Sequence, residues 1–216
     1  LWSALYDLSM RVCLVSNELA PFHGSGIGVY AADAARAWAA AGHEVHIITG
    51  DHAGIAERGR ALFPGVRIHS IDLAEDVSAC LPEPRGAVHW PLGAYECLRR
   101  LHSQHPFDYA EFPDFGGEGC FAIQGRALLP GRPEGLPGCV LGVRLHMPSV
   151  LINATNHRTW RGRHREYVAQ MERESIAGAD VVWAPCRAVV ESLRSMGVAV
   201  EDSPGRPCLV SANPFV

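Results

Sequence analysis

The stretch Arg11-Val-Cys-Leu-Val-Ser16, followed by Asn17-Glu-Leu-Ala-Pro-Phe-His-Gly-Ser-Gly-Ile-Gly28 and Val29-Tyr-Ala-Ala-Asp-Ala-Ala-Arg-Ala-Trp-Ala-Ala-Ala-Gly42, decides the fold class. The first segment is short, apolar and rich in β-branched residues, as a buried strand requires. The second is a glycine-rich loop. The third places Val29, Ala32, Ala35 and Trp38 to Ala40 on one face, so a helix is expected from Val29 to Ala41, with Gly42 ending it. Val45-His-Ile-Ile-Thr49 then reads as a second buried strand. Strand, loop, helix, glycine, strand is a βαβ unit.

The alternation continues outward. Strands are expected at Val66–Ile71, Asp108–Phe112, Cys139–Leu145, Asp180–Ala184 and Cys208–Ser211. Helices are expected at Pro91–His102, from Gly119 to Arg126, at Thr159–Gly178 and at Arg187–Met196, with an irregular stretch from Ala74 to Trp90. This pattern predicts an α/β protein: a Rossmann-like, doubly wound parallel sheet with helices on both faces. Ligands bind such sheets outside the carboxyl ends of the strands. The residues of interest are therefore those that follow strands: the glycines at 24–28, Glu111 to Gly119, His146, and Pro185-Cys186-Arg187.

Composition removes several alternatives. Of 216 residues, 48% are hydrophobic and 19% charged, which suits a packed core and argues against disorder. All 19 basic residues counted as Lys+Arg are Arg, so chemistry that needs a P-loop lysine or a Schiff-base lysine is excluded. A net charge of −4 gives no case for nucleic-acid binding. The seven cysteines are dispersed without a C-x-x-C pair and are expected to be free thiols of a cytoplasmic protein, with no metal site implied. No apolar run is long enough to span a bilayer. Residues 1–9 read as a leader or read-through segment ahead of a domain that starts at Met10.

Gly24, Gly26 and Gly28 precede a helix whose first-turn N–H groups point into the loop, which makes an anion site. A plain surface turn is the alternative. A dinucleotide fingerprint with Asp51 as the ribose acid fits less well, because the spacing is G-x-G-x-G and the glycines start well beyond the strand end.

Met10 to Pro21, Gly24-Ser-Gly-Ile-Gly-Val-Tyr30 and Ala41-Gly-His-Glu-Val45 together resemble the N-terminal domain of family 4 glycosyltransferases. Glu111 to Gly119, Val143-Arg-Leu-His-Met-Pro148, Ala179 to Arg187 and Asn213-Pro214 continue the resemblance in the family's order. The resemblance implies one half of a GT-B fold: an acceptor-side domain over 10–212, the start of an inter-domain linker at 213–216, and a C-terminal donor-binding domain not included in this chain. It implies retaining transfer of a sugar from a nucleotide-sugar donor to a carbohydrate or lipid-linked acceptor, without a metal or other cofactor, and a fragment inactive alone. Gly24, Gly26, Gly28 and His146 would face the donor's diphosphate and sugar. Glu111, Asp114 and Arg187 are acceptor-side candidates, although Asp114 could instead cap a helix. The family's paired glutamates would lie in the other domain; Glu166 and Glu174 share their spacing but fall inside a charged helix.

Glu18-Leu-Ala-Pro21 also resembles starch and glycogen synthases, which carry a lysine just before the glycines, where His23 stands here. A stand-alone Rossmann-like module for a small anionic ligand is the reading from another class. The segment Asn156–Tyr167, with four Arg, two His, Trp160 and Tyr167, reads either as a solvated helix or as a contact with the inner membrane face.

Overall fold

The computed structural model describes residues 9–72, 86–157 and 162–212. Seven parallel strands form one sheet in the order β3-β2-β1-β4-β5-β6-β7: β1 Arg11–Val15, β2 Glu44–Gly50, β3 Val66–Ile71, β4 Tyr109–Pro113, β5 Val140–Arg144, β6 Val181–Ala184 and β7 Cys208–Val210. The helices are α1 Gly26–Ala40, α2 Ile55–Leu62, α3 His89–Gln104, α4 Cys120–Leu128, α5 Ser149–Thr155, α6 Arg163–Gly178 and α7 Arg187–Ser195. The sheet is the doubly wound one expected.

Alternate residues of β1 enter two separate apolar layers. Val12 and Leu14 pack with Tyr30, Ala31, Ala35, Ile55 and Phe63 on one face; Cys13 and Val15 pack with Leu98, Phe112 and Ile123 on the other. Burial on both faces is why the central strands read as continuous apolar runs, whereas the edge strand β3, Val-Arg-Ile-His-Ser-Ile, alternates. The chain builds outward from β1 to β3, then crosses back to lay β4 on the other side of β1. That reversal opens a crevice at the carboxyl ends of β1 and β4.

Several boundaries differ from the sequence reading for local reasons. Helix α1 begins at Gly26, three residues before Val29, because Ser25 caps it: its Oγ accepts from the Gly28 N–H at 2.9 Å. Helices α2 and α5, eight and seven residues long, fall where the sequence reading placed no element. Helix α3 starts at His89, so Pro91 occupies its first turn, where a missing N–H costs nothing. Asp114 caps no helix. A 3₁₀ turn at Phe115–Gly117 intervenes before α4, and the carboxylate turns to the β5 loop instead. Residues 1–8, most of the stretch expected to be irregular (73–85), the start of the basic segment (158–161) and Asn213–Val216 lie outside the described residues. Cys13, Cys120, Cys139, Cys186 and Cys208 are free thiols.

The turn after β4 is fixed by one buried carboxylate. Glu172 of α6 accepts from the Gly116 N–H at 3.0 Å, the Ser149 N–H at 2.8 Å and Ser149 Oγ at 2.7 Å. Close approach of α6 leaves Gly117, at φ 64°, no room: a Cβ there would lie 2.4 Å from Met171 Cβ. Gly117→Ala should therefore cost about 3 kcal/mol from overpacking and left-handed strain. Thermal unfolding should show a midpoint lowered by roughly 6–12 °C.

Candidate functional site

The loop Asn17–Ser25 crosses the crevice and is pinned at both ends. Ser16 Oγ donates to the Glu18 carbonyl at 2.8 Å, and the Ala20 N–H donates to the Gly28 carbonyl at 3.1 Å. Ser25 Oγ, besides capping α1, donates to the Glu18 carboxylate. The cap takes up the Gly28 N–H and the Ser25 carbonyl takes up that of Val29. That leaves the Gly26 and Ile27 N–H groups without an acceptor among the described residues, at the positive end of a 15-residue helix.

The three glycines do different things. Gly24 and Gly26 are exposed, and a Cβ on either would meet nothing within 4 Å. Gly28 is buried; its Cβ would lie 2.9 Å from the His23 carbonyl oxygen and 3.2 Å from the Leu19 and Ala20 nitrogens. Gly28 lets the loop lie on the helix, whereas Gly26 leaves the cleft open.

His146 follows β5 and faces the same cleft. Its N–H donates to Asp114 Oδ1 at 3.1 Å, so the fully buried Asp114 holds the β5 loop. The imidazole packs edge-on to Tyr30, ring centroids 5.0 Å apart, and its buried Nε2 has no hydrogen-bond partner among the described residues. Burial pushes the His146 pKa down to about 4, and the Arg144 guanidinium adds to the shift. His146 is therefore neutral at pH 7.

Beneath it lies a closed polar network. Glu111, only 2% exposed, accepts from Arg144 Nε at 3.1 Å, from Tyr109 Oη at 2.6 Å and from Tyr30 Oη. Trp183 Nε1 donates to Tyr109 Oη at 2.9 Å, and the Arg144 guanidinium lies 4.6 Å from the Tyr30 ring centroid. Glu111 and Asp114, read from the sequence as acceptor-side groups, thus face the protein interior. Arg187 is exposed at the start of α7, at the same end of the sheet but outside the cleft lining. His23 is exposed, with Nδ1 3.9 Å from Glu18 Oε1. Glu166 and Glu174 both lie on α6, away from any strand end.

The cleft has a volume of about 540 Å³ and is lined by Glu18, Ser25, Gly26, Ile27, Phe115, His146, Met147, Ile152 and Pro185. Of the residues singled out from the sequence as donor-facing, Gly26 and His146 line this cleft. Sequence reasoning missed the apolar lining, and also Tyr30 and Arg144, which support His146. Both stand inside quoted motifs, Gly24–Tyr30 and Val143–Pro148, and that position was the signal available. Among the described residues no cluster of three or more His, Cys, Asp or Glu could hold a metal, and no helix is long and apolar enough to cross a membrane.

A parallel sheet with a glycine-lined cleft at its switch point is the architecture of one Rossmann-like half of a GT-B glycosyltransferase. Two such enzymes share the fold. One is the catalytic domain of starch synthase IV from Arabidopsis thaliana, solved with ADP and acarbose (TM-score 0.59, 12% identity, covering 94% of this chain and 52% of that one). The other is sucrose-phosphate synthase from Thermosynechococcus elongatus (TM-score 0.60, 15% identity, 93% and 48%). The chain spans about half the length of each. No curated protein matches the sequence. Residues 25–202 match the glycosyl transferase 4-like domain, and the chain belongs to that family.

Burial pushes Asp114 up to about 7 and Glu118, whose carboxylate accepts from the Asn17 N–H, up to about 8. His69 on β3, like His146, is pushed down to about 4 by burial. The two sets oppose each other. The histidines stay neutral in the fold while the unfolded chain takes up protons, so their effect destabilises as pH falls from about 6.5 to about 4. The carboxyls stay protonated in the fold while the unfolded chain releases protons, so theirs destabilises as pH rises from about 4 to about 8. Glu118→Gln should flatten the decline in stability above about pH 4.5, measured by urea unfolding at stepped pH. In NMR titration the His146 ring resonances should move near pH 4 and not near 6.5.

Proposed function

We propose that this chain is the acceptor-side half of a retaining glycosyltransferase that moves a sugar from a nucleotide-sugar donor to an acceptor hydroxyl. The observation that carries this reading is the pair of free N–H groups of Gly26 and Ile27, beside neutral His146, in the cleft at the sheet's switch point. Amides at a helix N-terminus stabilise the negative charge that builds on a departing diphosphate. His146 can donate or accept one hydrogen bond to a sugar hydroxyl without adding charge. The new bond forms between the acceptor oxygen and the sugar's anomeric carbon, while the bond from that carbon to the diphosphate oxygen breaks. The nucleoside diphosphate leaves and takes up the hydroxyl proton.

In this reading residues 10–212 form one domain, residues 1–9 precede it, and a second domain joined after 213–216 holds the nucleotide. The reaction uses no metal. The absence of lysine agrees with this division, because cationic contacts to the donor would come from the other half. The protein acts in the cytoplasm, on a carbohydrate or lipid-linked acceptor.

In the two-domain enzyme, Gly26→Val should lower turnover by roughly 10²-fold, the scale of losing a positioned amide donor, with no loss of thermal stability. Release of nucleoside diphosphate from a panel of nucleotide-sugars measures this, and unchanged turnover would remove the loop from the donor site. The 216-residue chain alone should bind nucleotide-sugars with Kd above about 1 mM. Micromolar affinity by calorimetry would instead support a stand-alone anion-binding module.

A further inference from the structure

The cleft is two-sided in a way that the transferase reading does not require. The sheet order places Glu18, Ser25 and Gly26 beyond β1, Phe115 beyond β4, His146, Met147 and Ile152 beyond β5, and Pro185 beyond β6. At about 4.8 Å per strand, β1 to β6 is roughly 14 Å. Across that span Glu18, Ser25 and Gly26 stand beyond β1 with Ile27 beside them and His146 stands beyond β5, while the rest of the lining, Phe115, Met147, Ile152 and Pro185, is apolar. Met147 is 41% exposed, so its thioether side chain presents apolar surface to the cleft rather than filling the core.

Charge narrows the occupant further. Among the described residues no Arg lines the cleft, Glu18 carries its one formal charge, and His146 is neutral. Over β4 to β6 a phosphate or carboxylate on the acceptor would meet no cation among the described residues, and the Gly26 and Ile27 amides at the β1 side are the ones that the transferase reading gives to the donor's diphosphate. A bare sugar carries a hydroxyl on most of its carbons, and over β4 to β6 those hydroxyls would lose water without gaining partners, since the side chains there other than His146 are apolar. An uncharged apolar body loses nothing there and gains from burial.

We infer that this cleft takes a neutral amphiphilic acceptor: a single hydroxyl, directed to His146, on an uncharged apolar ring-sized body lying against Phe115, Met147 and Ile152. This rests on the transferase reading for the word acceptor, but the binding preference stands on the cleft itself.

Three probes of similar size or function separate the possibilities: 2-naphthalenemethanol, 2-naphthoate and glucose, each titrated into the ¹⁵N-labelled 216-residue protein and followed by amide shifts. The alcohol should shift the amides of Met147 and Ile152 and bind there at least about tenfold tighter than either of the others. Met147→Glu should weaken the alcohol by about tenfold, with an unchanged melting temperature because the side chain is exposed. Equal or tighter binding of naphthoate or glucose at these amides overturns the proposal, as does alcohol binding that leaves them unmoved or is indifferent to Met147→Glu. Failure of the transferase reading shows elsewhere, in the turnover of Gly26→Val, and leaves these titrations unchanged.

Discussion

The Glu111–Arg144 ion pair is the interaction on which the site depends. It bridges β4 and β5 at the carboxyl ends of the strands, with both side chains almost wholly out of water. Such a pair repays its desolvation only if every remaining lone pair and proton finds a partner. The partners come from three elements: Tyr30 of α1, Tyr109 of β4 and, through Tyr109, Trp183 of β6. Helix α1 is thereby tied to the middle of the sheet by its fifth residue, and the glycine loop before it is held over the crevice. Without the pair, Tyr30 would have no reason to stand where it does, and His146 would have no ring to pack against.

The same pair sets the electrostatics of the cleft. Arg144 lies close enough to His146 to oppose its protonation, while Glu111 cancels the guanidinium charge within the protein. The cleft is left with a neutral imidazole, two free amides and one carboxylate. Partial charges from the helix terminus therefore count for more than formal ones here. A chain with arginine as its only permanent cation has sent Arg144 inward onto Glu111 and paired the half-exposed Arg126 with Asp180, and none of the described arginines lines the cleft.

Much of the fold was legible because each signal was local. Every strand was expected within one or two residues, since a β-branched run leaves a continuous apolar trace when buried on both faces and an alternating one at the edge strand β3. The reversal between β3 and β4 was not legible; strand order depends on which faces pair, not on any one segment. The site was legible to the same extent. Gly26 and His146 follow strands and could be found. Glu111 lies within β4 and Asp114 just after it, yet both point inward, because a carboxylate's direction depends on whether a partner such as Arg144 or the His146 amide waits behind it. The apolar lining was invisible for a similar reason: Ile27, Phe115 and Ile152 look like core residues until the topology leaves one side of them uncovered.

The glycine loop shows how one motif carries separate constraints. Gly28 exists for the protein, since any side chain there would strike the His23 carbonyl and lift the loop from α1. Gly24 and Gly26 are under no such pressure: their space is open and neither has positive φ. An exposed helix N-terminus would normally favour a residue with better helix propensity than glycine at its first position. Glycine at position 26 thus lowers stability slightly and returns nothing to the fold. Its one physical effect is to bare the Gly26 and Ile27 amides to whatever enters the cleft. A residue that the fold would replace at no cost, beside amides the fold leaves unpaired, points to an anionic ligand more directly than the three-glycine pattern does.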